Sequence, residues 1–79
     1  MENRLTELRK ARTWSQADVA AHLGVSRQTI ISIERGRFDP SLPLAFRIAW
    51  TFGCRIEDIF LPGELGAQST GDSAPERVQ

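Results

Sequence analysis

SQADVAAHLGVSRQTIISIERG, residues 15–36, is the stretch that decides how this chain folds. It reads as two short helices with a tight turn between them. Ser15 followed by Asp18 is a helix-start pattern: the hydroxyl accepts from the free N–H groups of the first turn, and the carboxylate reaches back to the cap. Asp18 also sits in the positive field of that helix end. Val19, Ala20 and Leu23 recur at helical spacing and make one apolar stripe. Gly24 follows at once, and glycine takes the positive φ that ends a helix without steric cost. Val25 folds back onto the core. Ser26 caps a second helix, Ile30 and Ile33 form its buried stripe, and Gly36 ends it.

So short a connection sets the two helices at a steep angle. Ala20 suits a close crossing, being small and a strong helix former. The outward face of the second helix carries Arg27, Gln28, Thr29 and Ser32, with Arg35 near its end. Such side chains bond to base edges and phosphates. Ile31 falls on the same outward face, where it reads as a tolerated exposed aliphatic.

On these residues the segment resembles the helix-turn-helix of the Cro/repressor-type (XRE) transcriptional regulators of bacteria and phages. The matching features are Gln16 opening the first helix, Ala20, Gly24-Val25-Ser26, Ile30, and Ile33-Glu34 before Gly36. The likeness runs from about Leu5 to Phe60. It implies an all-α, five-helix, lambda-repressor-like DNA-binding domain over residues 1–61, with a flexible polar tail over 62–79. It also implies sequence-specific binding of double-stranded DNA by a small regulator, most often a repressor.

The resemblance carries site roles with it. Arg27, Gln28 and Ser32 match positions that contact base edges in the major groove. Arginine suits guanine and glutamine suits adenine, each good pair contributing about 1–3 kcal/mol of discrimination. Gln16 matches a position that bonds a backbone phosphate, where the helix dipole and main-chain N–H groups assist. Ser26, Thr29, Arg35, Arg37 and Lys10 are further phosphate candidates; Ser26 is first a helix cap, and Thr29 meets a phosphate or a thymine methyl. Arg9 and Glu34 match positions that form a mostly buried ion pair between the first and third helices, so Arg9 is not counted as a DNA ligand.

The rest of the domain reads from helical periodicity. Residues 3–12 make a first helix, with Asn3 as cap and Leu5, Leu8 and Ala11 facing inward. Trp14, just before the Ser15 cap, is a core residue that staples the following helix. Arg37-Phe38-Asp39-Pro40 is a loop, because proline biases Asp39 away from helix. Ser41 caps a fourth helix with Pro43 in its first turn, and Leu44, Ala45, Ile48, Ala49 and Phe52 follow its inner face until Gly53. Residues 56–60 make a short fifth helix; Arg55 stands where the family has Ser or Thr, so its cap is weak.

Phe46 and Trp50 lie one turn apart on the other side of the fourth helix, and many relatives have a charged residue in place of Trp50. Two exposed aromatics together suggest a partner surface. A homodimer through Phe46, Trp50, Ile56, Phe60 and Leu61 is expected. Its two-fold axis would set the two reading helices about 34 Å apart on a palindromic operator.

Composition bounds the remaining possibilities. The chain has 79 residues, enough for one small domain, with a modest core. The formal net charge is zero, which by itself is unusual for a nucleic-acid binder. Residues 1–61, however, hold nine basic and seven acidic side chains, a net of +2, and the tail carries the offsetting −2. From Pro62 on, Gly, Ser, Pro, Gln and charges dominate, a composition that cannot offset its ordering entropy.

Cys54 is the single cysteine, which excludes an internal disulfide and fits a reducing cytoplasm; it reads as a small, partly buried hydrophobe. No signal peptide, membrane span or internal repeat is seen. His22 is solvated and has no Cys, Asp or Glu at metal spacing. No nucleophile–base pair, catalytic carboxylate pair or phosphate-cradling loop is present, so no enzyme activity, cofactor, metal or small-molecule effector is expected. Two other functions fit the same chain. It would serve as an antitoxin whose tail orders on a toxin, or as a protein-interaction module that has lost DNA binding; the Arg27/Gln28 face argues against the latter.

Overall fold

Three serines start three of the helices, each through the same hydrogen bond. The computed structural model describes residues 1–62. In chain order these form strand β1 (Glu2–Asn3), helices α1 (Leu5–Ala11), α2 (Gln16–Leu23), α3 (Arg27–Glu34), α4 (Leu42–Phe52) and α5 (Ile56–Ile59), and strand β2 (Phe60–Leu61). Ser15 Oγ accepts from the Asp18 N–H at 3.0 Å, Ser26 Oγ from Thr29 at 3.1 Å, and Ser41 Oγ from Leu44 at 3.3 Å. At Ser15 the box is complete, since Asp18 Oδ2 accepts from the Ser15 N–H at 2.8 Å. That backbone bond, and then the Ser15 hydroxyl, favour the charged carboxylate and hold the Asp18 pKa below its ordinary value.

Gly24 turns the chain between α2 and α3. Its φ of +71° lies in the left-handed region, and the Val25 N–H closes the helix end on the Ala20 carbonyl at 3.0 Å. Arg47, from α4, donates to the Leu23 carbonyl at the same helix end, placing a cation where the α2 dipole is negative. The core gathers around this turn. Leu5, Val19, Ile30, Ile33, Ile48 and Ile59 have no exposed surface, and Ala20 and Ala45 fill the close approaches between helices.

All five expected helices are present, and a two-stranded ribbon joins them. Glu2 pairs with Leu61 and Asn3 with Phe60, antiparallel. The ribbon shortens both outer helices relative to the sequence reading. α1 begins at Leu5 rather than residue 3, because residues 2 and 3 are extended. Asn3 still serves the first turn from outside, with its Oδ1 accepting from the Leu5 N–H at 3.1 Å. Its amide group donates to the Ile33 carbonyl at 2.7 Å, tying the N-terminal strand to the end of α3. α5 stops at Ile59 because Phe60 enters the strand. Asp58 accepts from the Arg55 N–H at 3.3 Å, while the Arg55 side chain, having no acceptor atom, returns no cap bond.

Ala11, expected inward, faces out, and Phe60, expected at a partner surface, faces in. Phe60 is only 7% exposed and belongs to the core. Trp14 is half-buried, and its chief aromatic partners lie beyond the first turn of α2. It stacks on His22 at 4.2 Å between centroids and meets Phe52 at 5.6 Å, with the Arg12 guanidinium over both Trp14 and Phe52. His22 is thus exposed yet held by a ring. The tail expected over 62–79 lies, beyond Pro62, outside the described residues.

Candidate nucleic-acid interface

The orientation of α3 is fixed by one buried ionic knot beneath it. Arg9 Nε donates to Glu34 Oε2 at 2.7 Å and its Nη2 to Oε1 at 3.3 Å. Its third branch donates to the Trp14 carbonyl at 3.0 Å, reaching the start of α2. Side-chain exposure is 12% for Arg9 and 7% for Glu34. Burial pushes the Glu34 carboxyl up. Hydrogen bonds from Arg9, Gln16 and Thr6, with the Arg9 charge, outweigh it, so the group titrates below its ordinary value. One carboxylate therefore joins α1, α2 and α3.

Gln16 belongs to this knot. Its side-chain amide donates to Glu34 Oε1 at 3.1 Å, so one of its two N–H groups is already directed at a neighbour. Its backbone position at the first turn of α2 is unaffected, and the second side-chain N–H is the donor left for a phosphate.

Above the knot, α3 presents its polar face. Arg27 and Gln28 are exposed on its first turn, and Ser32 is half-buried one turn further along. The N-terminal half of a recognition helix is the part that reaches base edges. Ser26 Oγ and Thr29 Oγ1 lie 2.9 Å apart and share a hydrogen bond; Thr29 is half-buried. Arg35 and Arg37 are exposed beyond the end of α3, and Lys10 is exposed on α1. Ile31 is half-buried, so it is less open than its outward position suggested.

Two residues that the sequence reading passed over also shape this face. Arg47 anchors the end of α2, as described, and no local pattern announces a contact across 24 positions. Phe38 stands at the edge of α3, 45% exposed; an aromatic in a loop that ends in Asp39-Pro40 was the available signal.

Away from α3, Phe46 and Trp50 are exposed on α4, with 56% and 89% of their surface open. With Ala49, Cys54 and Ile56 they line an open depression that includes no residue of α3. Leu61 is half-buried on β2. Among the described residues, no helix is long and apolar enough to cross a membrane.

A family model described as "Helix-turn-helix" matches residues 5–59. An HTH-type transcriptional regulator of Methanocaldococcus jannaschii, named as uncharacterised, is 57% identical over 61 residues, covering 77% of this chain and 92% of that protein. Another, from Methanothermobacter thermautotrophicus, is 48% identical over 69 residues, covering 86% of this chain and all of that protein. Among solved structures, the restriction-modification controller protein C.AhdI of Aeromonas hydrophila superposes with a TM-score of 0.66 at 32% identity, over 72% of this chain and 86% of its own.

Proposed function

This chain belongs to the XRE-type helix-turn-helix family of transcriptional regulators, and on that premise we propose that it is a homodimeric repressor of a palindromic operator. α3 enters the major groove, with Arg27, Gln28 and Ser32 on base edges. Ser26, Thr29, Arg35, Arg37, Lys10 and the first turn of α2 at Gln16 hold phosphates. The observation that carries this reading is the exposure of the Arg27/Gln28 turn on a helix whose last residue, Glu34, is tied to α1 by the largely buried Arg9–Glu34 ion pair. A side chain aimed by a rigid scaffold discriminates between bases, because it loses little entropy when it binds.

Dimerisation uses the surface of Phe46, Trp50, Ile56 and Leu61. Phe60, being drawn into the core, contributes packing behind that surface rather than contact across it. A Trp at 89% exposure next to a Phe at 56% is a large apolar area for a monomer to leave in water. The net charge of +2 over residues 1–61 makes two copies on one DNA the arrangement that gathers enough cations, and binding weakens steeply with salt. Bound in the cytoplasm at a promoter, the dimer blocks polymerase.

Selection of bound sequences from a random DNA pool tests this directly. The expected product is a palindrome whose half-sites are about one helical turn apart. Enrichment of no sequence, from a folded protein at low salt, would overturn the reading.

A further inference from the structure

We propose that Phe38 is a specificity-determining residue, packing its ring on the C5-methyl of a thymine in each half-site; this rests on α3 being the recognition helix. The loop after α3 does not leave the helix cleanly. The N–H groups of Arg37 and Phe38 both donate to the Ser32 carbonyl, at 3.0 and 3.3 Å, so the chain doubles back along α3. This lays Phe38 beside the outward face. The ring closes one side of a cleft of about 170 Å³ whose other walls are Ser26, Gln28, Thr29 and Ser32. Gln28 and Ser32, one turn apart on α3, are assigned to base edges; Thr29 and the cap Ser26 stand beside them.

The chemistry of the cleft narrows its occupant. The hydroxyls of Ser26 and Thr29 bond to each other at 2.9 Å, and Phe38 is the aromatic residue among the cleft's walls. A phenyl ring offers no hydrogen bond to a base edge. In the major groove the apolar group on a base edge is the thymine methyl. Gln28, which also lines the cleft, is suited to an adjacent adenine. The cleft is roomy enough for a methyl group and the base edge that carries it, and burying one methyl there is worth about fourfold in affinity per half-site.

The test uses the full chain and the operator it selects from a random pool. Affinities are measured by fluorescence anisotropy for wild type and Phe38→Ala, on that operator and on copies in which each thymine in turn is replaced by deoxyuridine, which lacks the methyl. Thermal melts establish that Phe38→Ala is folded, as its 45% exposure leads one to expect. The expected result is one thymine, at the same place in each half-site, whose methyl wild type needs by about fourfold. Phe38→Ala, which lacks the ring in both subunits, binds the thymine operator about sixteenfold more weakly and shows no further loss when that thymine is replaced by deoxyuridine.

Three results would overturn the assignment while leaving α3 as reader. They are equal deoxyuridine effects in both proteins, Phe38→Ala binding as tightly as wild type, and an equal weakening on unrelated DNA, which marks a sugar–phosphate contact. If wild type selects no sequence at all, the reading of α3 fails first and the role of Phe38 with it.

Discussion

Replacing Arg9 by alanine removes three hydrogen bonds, two to Glu34 and one to the Trp14 carbonyl. It also strands a carboxylate whose side chain is 7% exposed. Gln16 and Thr6 still donate to that carboxylate, but neither carries charge. Breaking one side of a buried pair costs about 3–5 kcal/mol. For a domain of this size each kcal/mol lowers Tm by roughly 4–8 °C, so a fall of at least about 12 °C is expected, measured by circular dichroism at pH 7.

Arg12→Ala is the comparison. Arg12 donates to the Thr51 carbonyl at 2.8 Å and lies over Trp14 and Phe52, yet it is exposed, and a cation over a ring at such a site is worth about 0.5–1 kcal/mol. Its melt should fall far less. The pH dependence separates the causes. In wild type the Glu34 carboxyl titrates below its ordinary value of 4.5, so its contribution is full above that pH and is lost as pH falls through the folded value. In Arg9→Ala burial acts without the countercharge and raises the group. Its penalty is present at neutral pH and disappears once the carboxyl is protonated. The gap between the two melting curves should therefore close as pH drops from 7 toward 4. Removing Glu34 as well, in Arg9→Ala/Glu34→Ala, should restore part of the loss at pH 7. Equal melting temperatures for Arg9→Ala and Arg12→Ala, or a gap that does not vary with pH, would refute the reasoning.

Other substitutions have equally definite expectations. Gly24→Ala meets no atom within 4 Å of its new Cβ, so its cost is the left-handed backbone alone, about 1–2 kcal/mol, read as a shift in denaturant midpoint. Trp50→Glu alters a side chain that is 89% exposed; it should stay folded while sedimentation moves from dimer to monomer, its Tm falling only by what association contributed and losing its dependence on protein concentration. A wild type that sediments as a monomer at high micromolar concentration would remove the dimer altogether.

Much of the fold was legible because its signals are local. Ser15-x-x-Asp18, Gly24 and Ser26 each act within one turn of the backbone, and the caps they imply are formed. The Leu5, Ile30, Ile33 and Ile48 stripes follow from helical period. What escaped the sequence reading is non-local. The Glu2–Asn3 strand is two residues long and pairs with residues nearly sixty positions away, so no periodicity marks it. Phe60 reads equally well as core or as surface until that pairing turns it inward. Gln16 illustrates the same limit at the site: its identity suits a phosphate, but only the fold reveals Glu34 beside it. The outward position of Arg27 and Gln28 followed from the buried positions of Ile30 and Ile33 on the same helix.

The most direct measurement is the affinity of Arg27→Ala/Gln28→Ala for the operator that wild type selects. Both side chains are exposed, so the variant should melt as wild type does. It should bind that operator at least about 30-fold more weakly per half-site, the loss of two base contacts in each subunit and hence on the order of 1,000-fold for the dimer, and bind unrelated DNA only slightly less well. A folded variant that holds the selected operator with undiminished affinity would contradict the assignment of α3 as the reading helix.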